Sequence, residues 1–432
     1  MRWLRRKDGA EGARRFPKML VWALVIGFLY GLGGGIEYDE NFLRVARNHV
    51  NQRDASGDIV LVGIDEKALR QVGRWPWPRG RYAELIDAIG AAKPKKQVHD
   101  FMFPDASIPD EDAKLARAFE RNKNVTIGYL QRVGARDGQI EDVRPLPMFA
   151  GNVSLASLGV RYNYANEVWA IPFSARSGQN HIPSLASVLA GESSNSTSEF
   201  RVNYAFKPAS IPALSAADVL NGKADLGRLT GKTVVVAPVS TRLGDQYPVP
   251  GWGRTGGVYI QIIGAETLKA GRPVDLGWLP AWILAAMGVV TALKLGGRRG
   301  AALLAGTGLA LLLVPVALDR AQIFTDVSAG LLVLVWTATG LVIRNMKRRG
   351  LTNATSGLPN LLALRKASPE MDRPLVVARI INYPQIVSTL TPTEERSLVE
   401  QIVARLKVGS EVSTVYQGDE GIFAWTVSGE TA

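Results

Sequence analysis

The 432-residue chain contains no cysteine. That excludes a disulfide framework and any thiolate metal site, and it suits an oxidising compartment, where a stray thiol is a liability. Histidine is nearly absent: His49, His99 and His181 are scattered without metal-ligand spacing, so neither a metal site nor a cofactor is expected. Acidic residues are in deficit, 39 against 51 Lys and Arg, for a formal charge of +12. Such a balance can mean nucleic acid. Here much of the excess flanks apolar runs, which is membrane topology, so no nucleic-acid partner is expected.

Four stretches are nearly free of charge: residues 19–35, 276–293, 301–318 and 327–343. Each approaches the ~20 residues that cross ~30 Å of hydrocarbon, so four transmembrane helices and a lipid-bilayer environment are expected. The first is long for a signal-peptide core and lacks a small-residue cleavage site, which favours an uncleaved anchor. Basic clusters lie before it (Arg2, Arg5, Arg6, Lys7, Arg14, Arg15, Lys18), after the second (Lys294, Arg298, Arg299) and after the fourth (Arg344, Lys347, Arg348, Arg349). The turn after the third carries Asp319, Arg320 and Asp326 instead. The positive-inside rule then puts residues 1–18 and everything after Arg344 in the cytoplasm, with residues 36–275 outside. Gly27, Gly31 and Gly35 recur every four residues, a pattern that serves a homodimer or close packing within one chain equally well.

Residues 36–275 alternate strand and helix patterns. Strands are expected at 58–65, 97–103, 124–130 and 233–238. Helices are expected at 67–72, 79–91, 112–121 and 257–270. This predicts an α/β domain with a mainly parallel sheet. The segment GRLTGKT at 227–233 superficially suggests a phosphate loop. It has Leu226 where the first glycine belongs and it precedes a strand, so it reads as a turn.

The run from Gly63 to Phe103, with Asp65, Gly73, Trp75, Pro76, Trp77, Pro78, Arg79 and Asp100 in place, resembles the opening of the CHASE type-2 sensory domain, an extracytoplasmic input module of bacterial signalling proteins. A loop with Asp245 and Pro250 and the segment GGVYIQIIGAETLKAGRPV continue the likeness over about residues 54–274. Gln261 stands where the family often has His. The resemblance implies a sensor at the bacterial inner membrane that detects a periplasmic or small-molecule signal.

Asp65, Asp100 and Asp245 lie near strand ends, where parallel sheets place ligands. They could hold a cation or an amine, or cap helices and accept backbone amides. Trp75 and Trp77 could line an aromatic pocket or close one end of the sheet. Arg79 could read an anion or pair with Asp65.

Residues 351–432 resemble a partial GGDEF domain, the diguanylate cyclase fold. Gly357, Leu358, Pro359 and Asn360 match its entry, and Gln417, Gly418, Asp419, Glu420 and Gly421 occupy the place of its signature loop in a hairpin. By that resemblance, Arg379 falls where a metal-binding Asp belongs and Val387 where an Asn reads guanine. A guanidinium repels the divalent cations that phosphoryl transfer needs. The tail is therefore expected to be degenerate and without enzymatic activity. The family's usual length also leads one to expect further sequence, such as an EAL phosphodiesterase domain. Three functions follow: a membrane receptor feeding cyclic-di-GMP signalling, a scaffold for another envelope protein, and an active cyclase, which the missing ligands disfavour.

Overall fold

The computed structural model describes residues 18–33, 36–73, 75–133, 140–367, 374–408 and 414–426. The basic residues ahead of Lys18, together with Gly35, lie outside that set. The chain divides into two units, Met1–Leu334 and Val335–Ala432, each described by itself.

The first unit opens with α1 (Lys18–Leu32) and α2 (Ile36–Val50), bent by 82° at the break between them. The α/β domain follows in chain order: β1 (Ile59–Ile64), α3 (Glu66–Val72), α4 (Arg79–Ala91), β2 (Lys96–His99), α5 (Pro109–Arg121), β3 (Val125–Val133) and β4 (Ile140–Val143). Next come α6 (Pro147–Ala150), β5 (Ser154–Ser157), β6 (Arg161–Tyr162), β7 (Val168–Pro172), β8 (Ser174–Ser177), β9 (Asn180–Pro183), α7 (Leu185–Ala190), β10 (Glu199–Arg201), β11 (Ala213–Ser215) and α8 (Ala216–Leu220). It ends with β12 (Thr233–Pro238), β13 (Gln246–Val249), β14 (Gly253–Gly256), α9 (Gly257–Lys269) and β15 (Val274–Asp275).

The main sheet runs β11-β1-β12-β2-β3-β4, with β5 also on β3. Every pairing is parallel except that of β3 with β4. Its central strands are apolar on both faces, as buried parallel strands must be. Ile59, Leu61, Val235 and Ala237 point into the core shared with α7 and α9. Val60, Val62, Ile64, Val234 and Val236 point into the core shared with α4, α5 and α8. The mixed α/β sheet and both termini of α4 match the sequence reading. The strand expected over 97–103 stops at His99, because Phe101 and Phe103 leave the ladder for the second core. Short antiparallel strands between residues 140 and 256 (order β10-β7-β6, and the hairpins β8–β9 and β13–β14) carried no clear periodicity.

Beyond β15 come α10 (Leu279–Leu295), α11 (Gly297–Arg320), β16 (Ile323–Phe324) and α12 (Ser328–Arg349). Among the described residues two helices, 297–320 and 328–346, are long and apolar enough to cross a membrane, or three spans if the bent α1–α2 pair counts as one. Helix α10 has 17 residues, about 25 Å at 1.5 Å per residue, so four full-length spans are not established by length. Small residues let these helices approach closely. A Cβ on Gly300 would lie 2.4 Å from the Ala292 carbonyl, and one on Gly330 2.7 Å from that of Ala281. Gly27 and Gly31 are spent in the same way within the chain, against Val333 and Trp278.

The second unit holds α13 (Leu361–Ala367), β17 (Leu375–Arg379), α14 (Tyr383–Val387), α15 (Pro392–Val408), β18 (Val415–Gln417) and β19 (Ile422–Thr426). Its sheet is antiparallel, in the order β17-β19-β18. The hairpin expected around residues 417–421 is present, formed by β18 and β19.

Candidate functional site

The C-terminal edge of the parallel sheet holds the residues that the sequence singled out, in three different roles. Asp65 caps α3: its Oδ1 accepts from the Ala68 amide at 2.8 Å and from the Ser215 hydroxyl at 2.9 Å. Its capping role is the one observed. Asp100, just past β2, and Asp245, before β13, do come together. Burial, and then the charge of Asp245, push the Asp100 carboxyl up to about 7. Burial also raises Asp245, offset by the Tyr247 hydroxyl and the Gly257 amide. Glycine lets Asp245 lie against the start of α9, since a Cβ on Gly257 would meet both Asp245 oxygens at 3.0 Å.

Trp77 is 3% exposed and Trp75 37%. Their rings, 6.2 Å apart, join Tyr82, Phe101 and Phe103 in a continuous aromatic cluster that closes this end of the core. Arg79 is neither solvent-facing nor paired with Asp65. Its Nε lies 3.3 Å from Asp112 Oδ1, its Nη2 donates to the Asp105 carbonyl at 2.6 Å, and the guanidinium packs over Phe103. An arginine at the first turn of α4 is too close to the aromatic cluster to stay in water. Gln261 is a buried bridge: its Oε1 accepts from the Ala186 amide and its Nε2 donates to the Leu158 carbonyl.

A second cluster was not anticipated. Helix α2 repeats Glu40, Arg44 and Arg47 on one face, and all three are buried. Arg47 Nε donates to Asp319 Oδ2, at the end of α11, and Arg47 Nη2 donates to Glu40 Oε1, both at 2.9 Å. Glu40 Oε2 accepts from the amides of Val327 (2.7 Å) and Ser328 (3.1 Å). A carboxylate from α2 thus caps α12 across the fold, where the helix dipole favours it. Arg44 donates to the Val202 carbonyl at 2.7 Å, with its guanidinium 4.1 Å from the centre of the Trp169 ring.

From the domain side, Arg201 grips Asp326 with Nη1 and Nη2, each at 2.5 Å, and its Nε lies 2.6 Å from Asp275. Burial works to raise Asp326, but the hydrogen bonds and charge of Arg201 hold its carboxyl below the ordinary range. Strand β15 pairs with β16 in the α11–α12 turn, so the backbone joins the same surfaces. The available signal was the pair Asp319 and Asp326 at span ends. Their partners Arg47 and Arg201 lie 272 and 125 residues away in sequence, beyond the reach of local pattern.

In the second unit, Gln417 is buried, with its Nε2 3.2 Å from the Tyr383 hydroxyl and its Oε1 accepting from Ser356. Arg379 pairs with Glu420 at 2.7 Å across the hairpin, both exposed. Gly421 has φ 79°, and a Cβ there would collide with Tyr383. Gly418 lies against Leu361, and Asp419 opens the turn. Among the described residues no group of three His, Asp or Glu could hold a metal ion.

Two measurements check these sites. An acid raised to about 7 binds a proton that the unfolded chain has already lost, so Asp100 weakens the fold progressively from about pH 4 to 7 and by a constant amount above. Asp100→Asn is expected to raise the thermal midpoint at pH 8 and leave it unchanged at pH 4; an equal shift at both would contradict this. Asp326→Asn is expected to cost about 3–5 kcal/mol, whereas Arg201→Met with Asp326→Leu restores most of it. Asp326 is depressed, so its contribution is present above about pH 4 and disappears on acidification. Unfolding of the full chain in detergent reads both, and an Asp326→Asn loss below ~1 kcal/mol counts against the buried pair.

No curated protein and no solved structure matches the chain. The CHASE2 domain matches residues 20–297. Such domains are extracellular sensory modules of signalling proteins. The match takes in α1, α2, the whole α/β domain, α10 and the start of α11, and it covers more than half of the sequence: the chain belongs to the CHASE2 domain family.

Proposed function

We propose that the chain is a multi-pass receptor of the bacterial inner membrane, with its α/β domain in the periplasm and both termini in the cytoplasm. The domain receives an envelope or small-molecule signal and relays it through the membrane helices. The observation that carries this reading is the charged joint formed by α2, Arg201, Asp319 and Asp326. A sensor must hold its input domain rigidly to the elements that move, and buried ion pairs supply orientation better than net stability.

The joint also supports the topology. Asp319 and the β16 turn meet the domain, so α11 has its C-terminal end on the domain side. The chain must then return across the membrane through α10, despite that helix's 17 residues. Trp278 and Leu276 lengthen its apolar stretch at the outer end. The basic residues at 294–299 then fall in the cytoplasm. A phosphatase reporter that works only outside the cytoplasm should be active when fused after residue 200 and silent after residue 350. The reverse pattern overturns the reading.

The tail's output is non-enzymatic in this proposal. Its likeness to GGDEF domains points to cyclic-di-GMP signalling. Arg379 on Glu420 and Gln417 at the loop's base support this reading, since a guanidinium on a loop carboxylate opposes the cations that such chemistry needs. The full chain incubated with GTP and Mg2+ should give no cyclic di-GMP; sustained turnover abolished by Glu420→Gln contradicts this.

A further inference from the structure

At the edge of the charged joint lies a cavity of about 310 Å3, lined by Val50, Asn51, Arg53, Asn203, Asp319 and Arg320 among others. That is the liquid volume of about ten waters. Two of its lining residues carry polar atoms with nothing to bond. Asp319 is 3% exposed, and while its Oδ2 holds Arg47, its Oδ1 is buried without a partner. Arg53 Nε and Nη2, the two nitrogens along one edge of the guanidinium, are likewise buried without a partner. Buried polar atoms left unbonded are few in folded proteins, and each unmade bond is costly. Two of opposite sign on one cavity indicate an occupant with both kinds of group.

The cationic wall is preorganised. The Arg53 backbone is fixed by bonds from its amide to the Ala205 carbonyl (2.9 Å) and to its carbonyl from the Lys207 amide (3.0 Å). Its guanidinium stacks 4.2 Å from the centre of the Phe206 ring. Glu266, whose charge reaches Arg53, is occupied by Ser56. Arg320 is held over the cavity by Asn51, whose Oδ1 accepts from Arg320 Nε at 2.8 Å and whose Nδ2 donates to the Val316 carbonyl at the same distance. Two arginines and a carboxylate already paired with Arg47 therefore line one cavity. An edge-on guanidinium matches an oxyanion bidentately, and a free carboxylate oxygen matches an ammonium proton.

We propose that this cavity binds a small zwitterion, with its phosphate or carboxylate on Arg53 and Arg320 and its ammonium on Asp319 Oδ1. The occupant touches the carboxylate that anchors α2 to α11, so it sits where it can bias the joint. This deepens the receptor reading by naming a ligand class at that site. Arg53 is no part of the ion-paired joint itself, so the cavity and the joint can be tested apart. The shared chemistry is that of phosphoethanolamine, which could arrive as a free solute or as the headgroup of a membrane lipid.

The test uses the full chain in nanodiscs of phosphatidylglycerol alone. Titration with O-phosphoethanolamine should give saturable calorimetric binding. Inorganic phosphate alone and ethanolamine alone should bind about tenfold or more weakly, since each makes only half of the charge-assisted bonds. Arg53→Gln should weaken binding by about tenfold or more. Arg53→Lys, which keeps the charge and loses the fork, should also weaken it, and both variants should still unfold cooperatively without ligand. Repeating the titration in nanodiscs containing phosphatidylethanolamine identifies the source: loss of binding means that the lipid headgroup already fills the cavity, and undiminished binding means a free solute. No saturable binding in phosphatidylglycerol, or binding unchanged in both Arg53 variants, overturns the proposal and leaves the joint untouched.

Discussion

Three guanidinium groups, those of Arg44, Arg47 and Arg201, are withdrawn from water between the α/β domain and the ends of the apolar helices α11 and α12. Desolvating an ion costs several kcal/mol, so each must find carboxylates, carbonyls or ring faces in fixed positions. That requirement sets the rest of the unit. Helix α2 has to turn 82° from α1 to present Glu40 and Arg47 together. The α11–α12 turn has to lie against β10 and β15 to bring Asp326 to Arg201. Apolar packing could hold these parts together in many registers; paired buried charges accept few.

The α/β core and the joint differ in how readily they can be read from sequence. A central parallel strand declares itself by an unbroken apolar run, as at residues 59–64 and 233–238, and α4 by its spacing from Arg79 to Ala91. The Asp65 cap was equally local. The strands from residue 140 to 256 are short, and their partners are set by distant chain. Arg79 was misplaced for a related reason: its partner Asp112 sits on the next helix, and its neighbours Phe103 and Phe149 come from the loop after β2 and from α6. The joint combines both difficulties, because charged residues on an amphipathic helix ordinarily face water, and only the folded arrangement shows α2 enclosed on the side of Glu40, Arg44 and Arg47.

The sheet edge and the joint suggest a division of labour. Asp100, beside Asp245, has its carboxyl pushed up to about 7 and ends a strand of the sheet that carries the core common to α7, α9 and β10. Phe200, beside Arg201, belongs to that core. A change at the sheet edge thus has a packed route to the guanidinium that grips Asp326, in keeping with interiors that pass strain through close contact.

The direct measurement of the central claim is the distance between the domain and the outer ends of the helices. The chain has no native cysteine, so nitroxide labels can be placed singly on the exposed residues Tyr164, in the domain, and Leu276, before α10. Pulsed electron resonance on the chain in nanodiscs should give one narrow distance distribution, broadening when Arg47→Gln and Arg201→Gln are introduced together. A distribution equally narrow in that double variant would show that apolar packing, rather than buried charge, fixes the sensor domain on its apolar helices.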